Sequence, residues 1–171
     1  MGLYHIVLIL LSAGSVVCCW RVLDVPMRCA AVSGVVAMAL AMNGPAFAVL
    51  LGMALLVLAA PVFLCGGSGA MCWHRLASHL AMAAVIAALF LLNGGDICGG
   101  NSLPLLSVEG ITQLPMSGPA SQFVQLAGLA VFAYVSWGSA LLVLALWRAR
   151  AGVVIEIGLM TSATFGMAIA T

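Results

Sequence analysis

The residues best suited to chemistry sit in one apolar stretch, 71–92, reading MCWHRLASHLAMAAVIAALFLL. On a helix turning about 100° per residue, Cys72, Arg75, His79, Met82 and Ile86 fall on a single stripe, and His74 points to the other side. Imidazole, thiolate and thioether together make a soft donor set of the kind that selects Cu(I). On a copper-binding reading, His79 and Met82 are the expected central ligands, with Cys72 as a possible third and Met160 or Met167 facing them. Met38 and Met42, four apart, form a second thioether pair, although methionine is also the ordinary filler of irregular apolar gaps. The other reactive group is Glu156. It falls inside an apolar segment, where an ionised carboxylate costs about 2.5–3.5 kcal/mol at the membrane centre and less near the edge. Such a group needs a partner, and Arg75 or His79 is expected to supply it.

Lipid must be the solvent for the elements that carry these groups. Of the 171 residues, 65% are hydrophobic and only 5% charged, whereas soluble domains carry about 25% charged residues to cover their surface. The expected fold is all-α: one transmembrane domain over 1–171, a bundle of about six helices at 3–20, 29–42, 47–65, 75–92, 123–147 and 152–171. The first span is too long and too evenly apolar for a signal-peptide core and is expected to be retained. The stretch 21–28, with Asp24 and Pro26, is expected to end the first helix and turn the chain. Small residues crowd the second span, which allows close helix packing. The longest connection, 93–121, with Asp96, Cys98, Glu109 and three prolines, is expected to be irregular. Tyr134, Ser136 and Ser139 are expected to bridge helices.

All five arginines fall around alternate connections: Arg21 and Arg28 after the first span, Arg75 after the third, Arg148 and Arg150 after the fifth. The positive-inside rule then puts the arginine side in the cytoplasm and both termini outside, in a bacterial inner (cell) membrane. On that topology Cys18, Cys19, Cys29, Cys65, Cys72, His74, His79 and Glu156 gather near the cytoplasmic face and Cys98 alone faces out. Cytoplasmic cysteines stay reduced, so no disulfide framework is expected.

The pattern resembles a family of actinobacterial multi-spanning membrane proteins, domain-of-unknown-function family 5134. Three segments carry the resemblance: Arg28-Cys29-Ala30-Ala31 running to Met38-Ala39-Leu40-Ala41-Met42, then His79-Leu80-Ala81-Met82-Ala83-Ala84, then Arg150 onward to Met160 and Gly166-Met167-Ala168. Family members share a His-x-x-Met habit that only His79–Met82 keeps here. The resemblance implies a polytopic membrane fold and brings no activity with it.

Several functions are set aside on composition. A net charge of +1 with no lysine leaves no basic patch for nucleic acid, whose binding is dominated by phosphate contacts. There is no Walker loop, no HExxH and no GxSxG, and no nucleophile stands at recognisable spacing from a base, so catalysis is not expected. The expected role is that of a non-catalytic accessory or structural subunit, surrounded by lipid and packed in a larger membrane complex or a homo-oligomer. The alternative is a copper-binding protein built on His79, Met82 and Cys72. A small transporter using Glu156 and His79 ranks below both, because intramembrane charge is so sparse.

Overall fold

The fold was obtained as a computed structural model that describes residues 3–43, 46–65, 69–94, 101–107, 110–116, 118–148 and 151–169. Six α-helices carry it: α1 (Leu3–Cys19), α2 (Val25–Asn43), α3 (Ala46–Ala59), α4 (Ala70–Gly94), α5 (Gly118–Trp147) and α6 (Ala151–Ile169). Each packs on its neighbour in sequence, α6 closes back on α1, and α4 also reaches across to α6 and α2. The connection described at 20–24 is short, and the packing of each helix on the next makes successive helices antiparallel neighbours and gathers the arginine-bearing ends at one end of the ring.

Four segments are long and apolar enough to cross a membrane: Phe47–Leu64, Ala70–Leu91, Ser121–Trp147 and Ala151–Ile169. The apolar parts of α1 and α2, Tyr4–Cys19 and Val25–Ala41, are shorter. At about 1.5 Å rise per residue a helix of that length reaches roughly 25 Å, a little under the hydrocarbon thickness.

The main core runs through the ring's middle and includes Leu8, Met38, Leu56, Met82, Ile86 and Met167. A smaller cluster of Cys19, Leu23, Met27, Ala30 and Phe63 closes the arginine end. Glycines set the closest helix approaches, as small residues do where helices pack without a hydrophobic drive. A Cβ on Gly52 would stand 2.8 Å from the Ala37 carbonyl oxygen of α2, and one on Gly166 would stand 2.6 Å from Leu8 Cδ2 of α1.

Several expectations need correction. The second helix begins at Val25 rather than 29. Asp24 offers its carbonyl to the Arg28 N–H at 2.9 Å, and Pro26 sits in the first turn, where a missing N–H costs nothing. Pro26 therefore opens α2 instead of ending the turn. The third span loses its α geometry at Ala59 and continues as a 3-10 segment, Ala60–Leu64, because Pro61 has no N–H to donate. The fourth helix starts at Ala70, so Arg75 lies within α4 and not in a loop.

The largest correction concerns 93–121. The fourth helix runs on to Gly94, and Asn101–Ser107 and Gly110–Met116 form an antiparallel hairpin with Ser107 opposite Gly110. The architecture is thus helical with one two-stranded excursion. Glycine and proline content argued for irregular backbone, but proline is tolerated in a two-stranded ribbon, where every strand is an edge. Asp96, Cys98 and Glu109 lie outside the described residues.

Candidate functional site

Arg75 and Glu156 each stand five residues inside their helix, counted from Ala70 and Ala151 at the arginine end. Their depths match at about 7–8 Å, and the packing of α4 on α6 brings them face to face. Arg75 Nε donates to Glu156 Oε1 at 2.6 Å, and Nη2 donates to Oε2 at 3.0 Å. This two-pronged geometry is the strong form of an arginine–carboxylate contact. Both side chains are buried, at 9% and 5% exposure, so the pair satisfies two charges that lipid would penalise separately.

His79 stands one turn deeper on the same stripe and ties α4 to a second neighbour. Its Nδ1 lies 3.1 Å from the Arg75 carbonyl oxygen, and its Nε2 lies 3.1 Å from the Ala30 carbonyl oxygen of α2. The ring rests on Phe63, with centroids 4.8 Å apart. Gly34 makes room for it, since a Cβ there would come within 2.9 Å of Nε2. Both ring nitrogens thus face acceptors. A neutral imidazole has one N–H and satisfies one of them, whereas an imidazolium satisfies both.

These groups line a partly open cavity of about 30 Å³. That is room for two or three waters by the usual criterion of about 10–15 Å³ each. Ser12, Ser15 and Cys19 of α1, Met82 of α4 and Met160 of α6 also line it. Two of the polar hydrogens are committed to the protein, Ser12 Oγ to Met38 Sδ at 2.9 Å and Ser15 Oγ to the Ser12 carbonyl at 2.7 Å. Cys19 Sγ turns back to the Ser15 carbonyl at 3.1 Å.

The residues expected to bind metal are only partly gathered here. His79 and Met82 are buried on the inner stripe and Met160 joins them at the cavity, but Cys72 is half-buried and does not line it. Met167 packs in the main core. Met38 accepts the Ser12 hydroxyl, and the side chain of Met42 lies outside the described residues. Among the described residues, no three His, Cys, Asp or Glu side chains converge as a metal set. His79 could ligate a metal only by turning one nitrogen away from its carbonyl. Cys18, Cys19, Cys29, Cys65 and Cys72 are free thiols.

Two features escaped the stripe argument. His74, on the other side of α4, is fully buried and stacks on Tyr134 of α5 with centroids 5.3 Å apart and 19° between planes. Tyr134 is buried, whereas Ser136 and Ser139 are exposed. The tyrosine's position opposite a histidine depends on the pairing of α4 with α5, which no local spacing reveals. His5 also escaped notice: it lies in α1 beside Tyr4, whose hydroxyl donates to the Gly166 carbonyl of α6.

The class these elements define is a helical membrane-protein bundle cross-linked by an arginine, a glutamate and a histidine. No protein-family model matches the chain, and no curated protein or solved structure matches it either. The resemblance to family 5134 accordingly gives no support to a functional reading, which rests on the geometry alone.

Proposed function

We propose that the protein is a non-catalytic integral membrane subunit whose six helices all cross a bacterial inner membrane, with the arginine ends in the cytoplasm and both termini outside. Its role is to pack against a larger membrane complex or further copies of itself. The observation that carries this reading is where the polar groups spend their hydrogen bonds. Arg75 and Glu156 close on each other, and His79 faces backbone carbonyls of α4 and α2. These contacts hold helices together, as polar side chains do inside bundles.

The outer face of α5 adds support. Leu126, Leu129, Phe132, Trp137, Leu144 and Trp147 are all exposed along it. This is a long apolar surface suited to lipid or to a helix of a partner. α1 and α2 are expected to span by locally thinning the bilayer, at a cost of fractions of a kcal/mol per Å of mismatch.

Purification of a tagged chain in mild detergent tests the reading. The expected result is a membrane-protein partner, or a defined oligomer, at fixed stoichiometry and less than one copper per chain. One copper per chain, lost together with His79→Ala and Met82→Ala, would replace the subunit reading with copper handling.

A further inference from the structure

A groove of about 600 Å³ opens on the outside of the bundle where α2 meets α3 and the end of α1. Val25, Val32 and Val36 of α2 and Leu55 of α3 form its apolar wall. Val32 and Val36 follow Arg28 at intervals of four residues, so they lie about 6 and 12 Å deeper along the same face. Arg28 and Trp20 sit at the mouth. The guanidinium carbon lies 5.3 Å from the centroid of the indole ring, and Arg28 Nε donates to the Leu23 carbonyl at 2.8 Å. These two contacts fix the plane of the guanidinium and leave the four N–H bonds of its two terminal nitrogens for other acceptors.

No carboxylate of the described residues supplies them. Among the described residues the one ion pair is Arg75–Glu156, and the nearest acid in sequence, Asp24, meets Arg28 through backbone only. Arg21 lies at the same end, exposed. One oriented, uncompensated arginine above a long apolar wall, flanked by an indole at interface level, matches an amphiphile with an anionic head and an extended tail.

We propose that this groove binds an anionic phospholipid, its phosphate on the Arg28 terminal nitrogens and an acyl chain along Val32, Val36 and Leu55. Net charge decides the occupant: a zwitterionic lipid also offers a phosphate, but its own ammonium offsets that charge beside Arg28, an apolar helix offers none, and an anionic lipid brings a net counter-charge. The site stands apart from the Arg75–Glu156 pair and does not depend on the subunit reading.

Trp20 reports occupancy directly. A variant with Trp73→Phe, Trp137→Phe and Trp147→Phe retains Trp20 as its one indole and is placed in phosphatidylcholine vesicles containing a minor fraction of brominated lipid. Brominated phosphatidylglycerol is expected to quench Trp20 with an apparent affinity about fivefold higher than brominated phosphatidylcholine, the factor one juxtaposed arginine contributes. Arg28→Gln should abolish that difference, and Arg28→Lys should keep part of it. Because salt screens the contact, the difference should also shrink at high ionic strength with no change to Arg28. Mass spectrometry of the unsubstituted chain released from mixed micelles should retain phosphatidylglycerol over phosphatidylcholine. Equal quenching and equal retention of the two lipids would overturn the proposal and mark ordinary boundary lipid. Protection of Trp20 from both lipids would overturn it in favour of a protein covering the groove.

Discussion

Arg75, Glu156 and His79 show how few polar side chains hold an apolar bundle in register. Removing one partner of a buried ion pair leaves an uncompensated charge, which in proteins costs about 3–5 kcal/mol, whereas replacing both by apolar groups of similar size is often neutral or better. Arg75→Gln and Glu156→Gln are therefore each expected to lower the unfolding midpoint and the folded yield in detergent. The double replacement Arg75→Met with Glu156→Leu is expected to recover most of the loss. Denaturant titration of the four proteins as a thermodynamic cycle measures the coupling. Additive losses with no recovery in the double variant would mean that Arg75 and Glu156 act through separate contacts.

Between elements, spacing is set by glycines, and the atom opposite each one determines what a methyl group would do. At Gly52 the obstacle is the Ala37 backbone oxygen at 2.8 Å, which cannot move without shifting α2. At Gly166 it is the tip of Leu8 at 2.6 Å, with the Tyr4 hydroxyl at 3.2 Å, and a leucine tip can rotate. At Gly128 nothing lies within 4 Å. Overpacking costs about 1–3 kcal/mol where neighbours cannot yield, while an unobstructed glycine-to-alanine change in a helix gains up to about 1 kcal/mol. Thermal unfolding in detergent should thus rank Gly52→Ala as most destabilised, Gly166→Ala as intermediate and Gly128→Ala at or above the parent. A different order would mean that α2–α3 spacing is not governed by that backbone contact.

At the level of the whole molecule, the ring of antiparallel helices turns the arginine pattern into a statement about sidedness. Arg75 must be taken out of that count, since it is buried against Glu156 and neutralised there. Arg21, Arg28 and Arg148 remain as described positive residues at one end, which still predicts that end to be cytoplasmic. A reporter inserted between α5 and α6 is expected to score as cytoplasmic, and one placed beyond α6 as external. The reverse pattern would invert the proposed membrane orientation without altering the fold.

Apolar runs and their punctuation determine by themselves that the chain is helical and suited to lipid, because hydrophobicity over about 20 residues is a local property that needs no partner. The demand that Glu156 find a cation is likewise local, since desolvation penalises the charge wherever the helix goes. Which groups actually meet was decided by tertiary structure. Arg75 reaches Glu156 because α4 crosses to α6, His79 is absorbed by the Ala30 carbonyl because α2 lies within reach, and His74 stacks on Tyr134 because α5 flanks α4. Cys72 shares a helical stripe with His79, yet no neighbouring helix draws it into the cavity. The pairing of Asn101–Ser107 with Gly110–Met116 was hidden for the same reason: it depends on residues of the opposite strand, which composition along a single segment does not record.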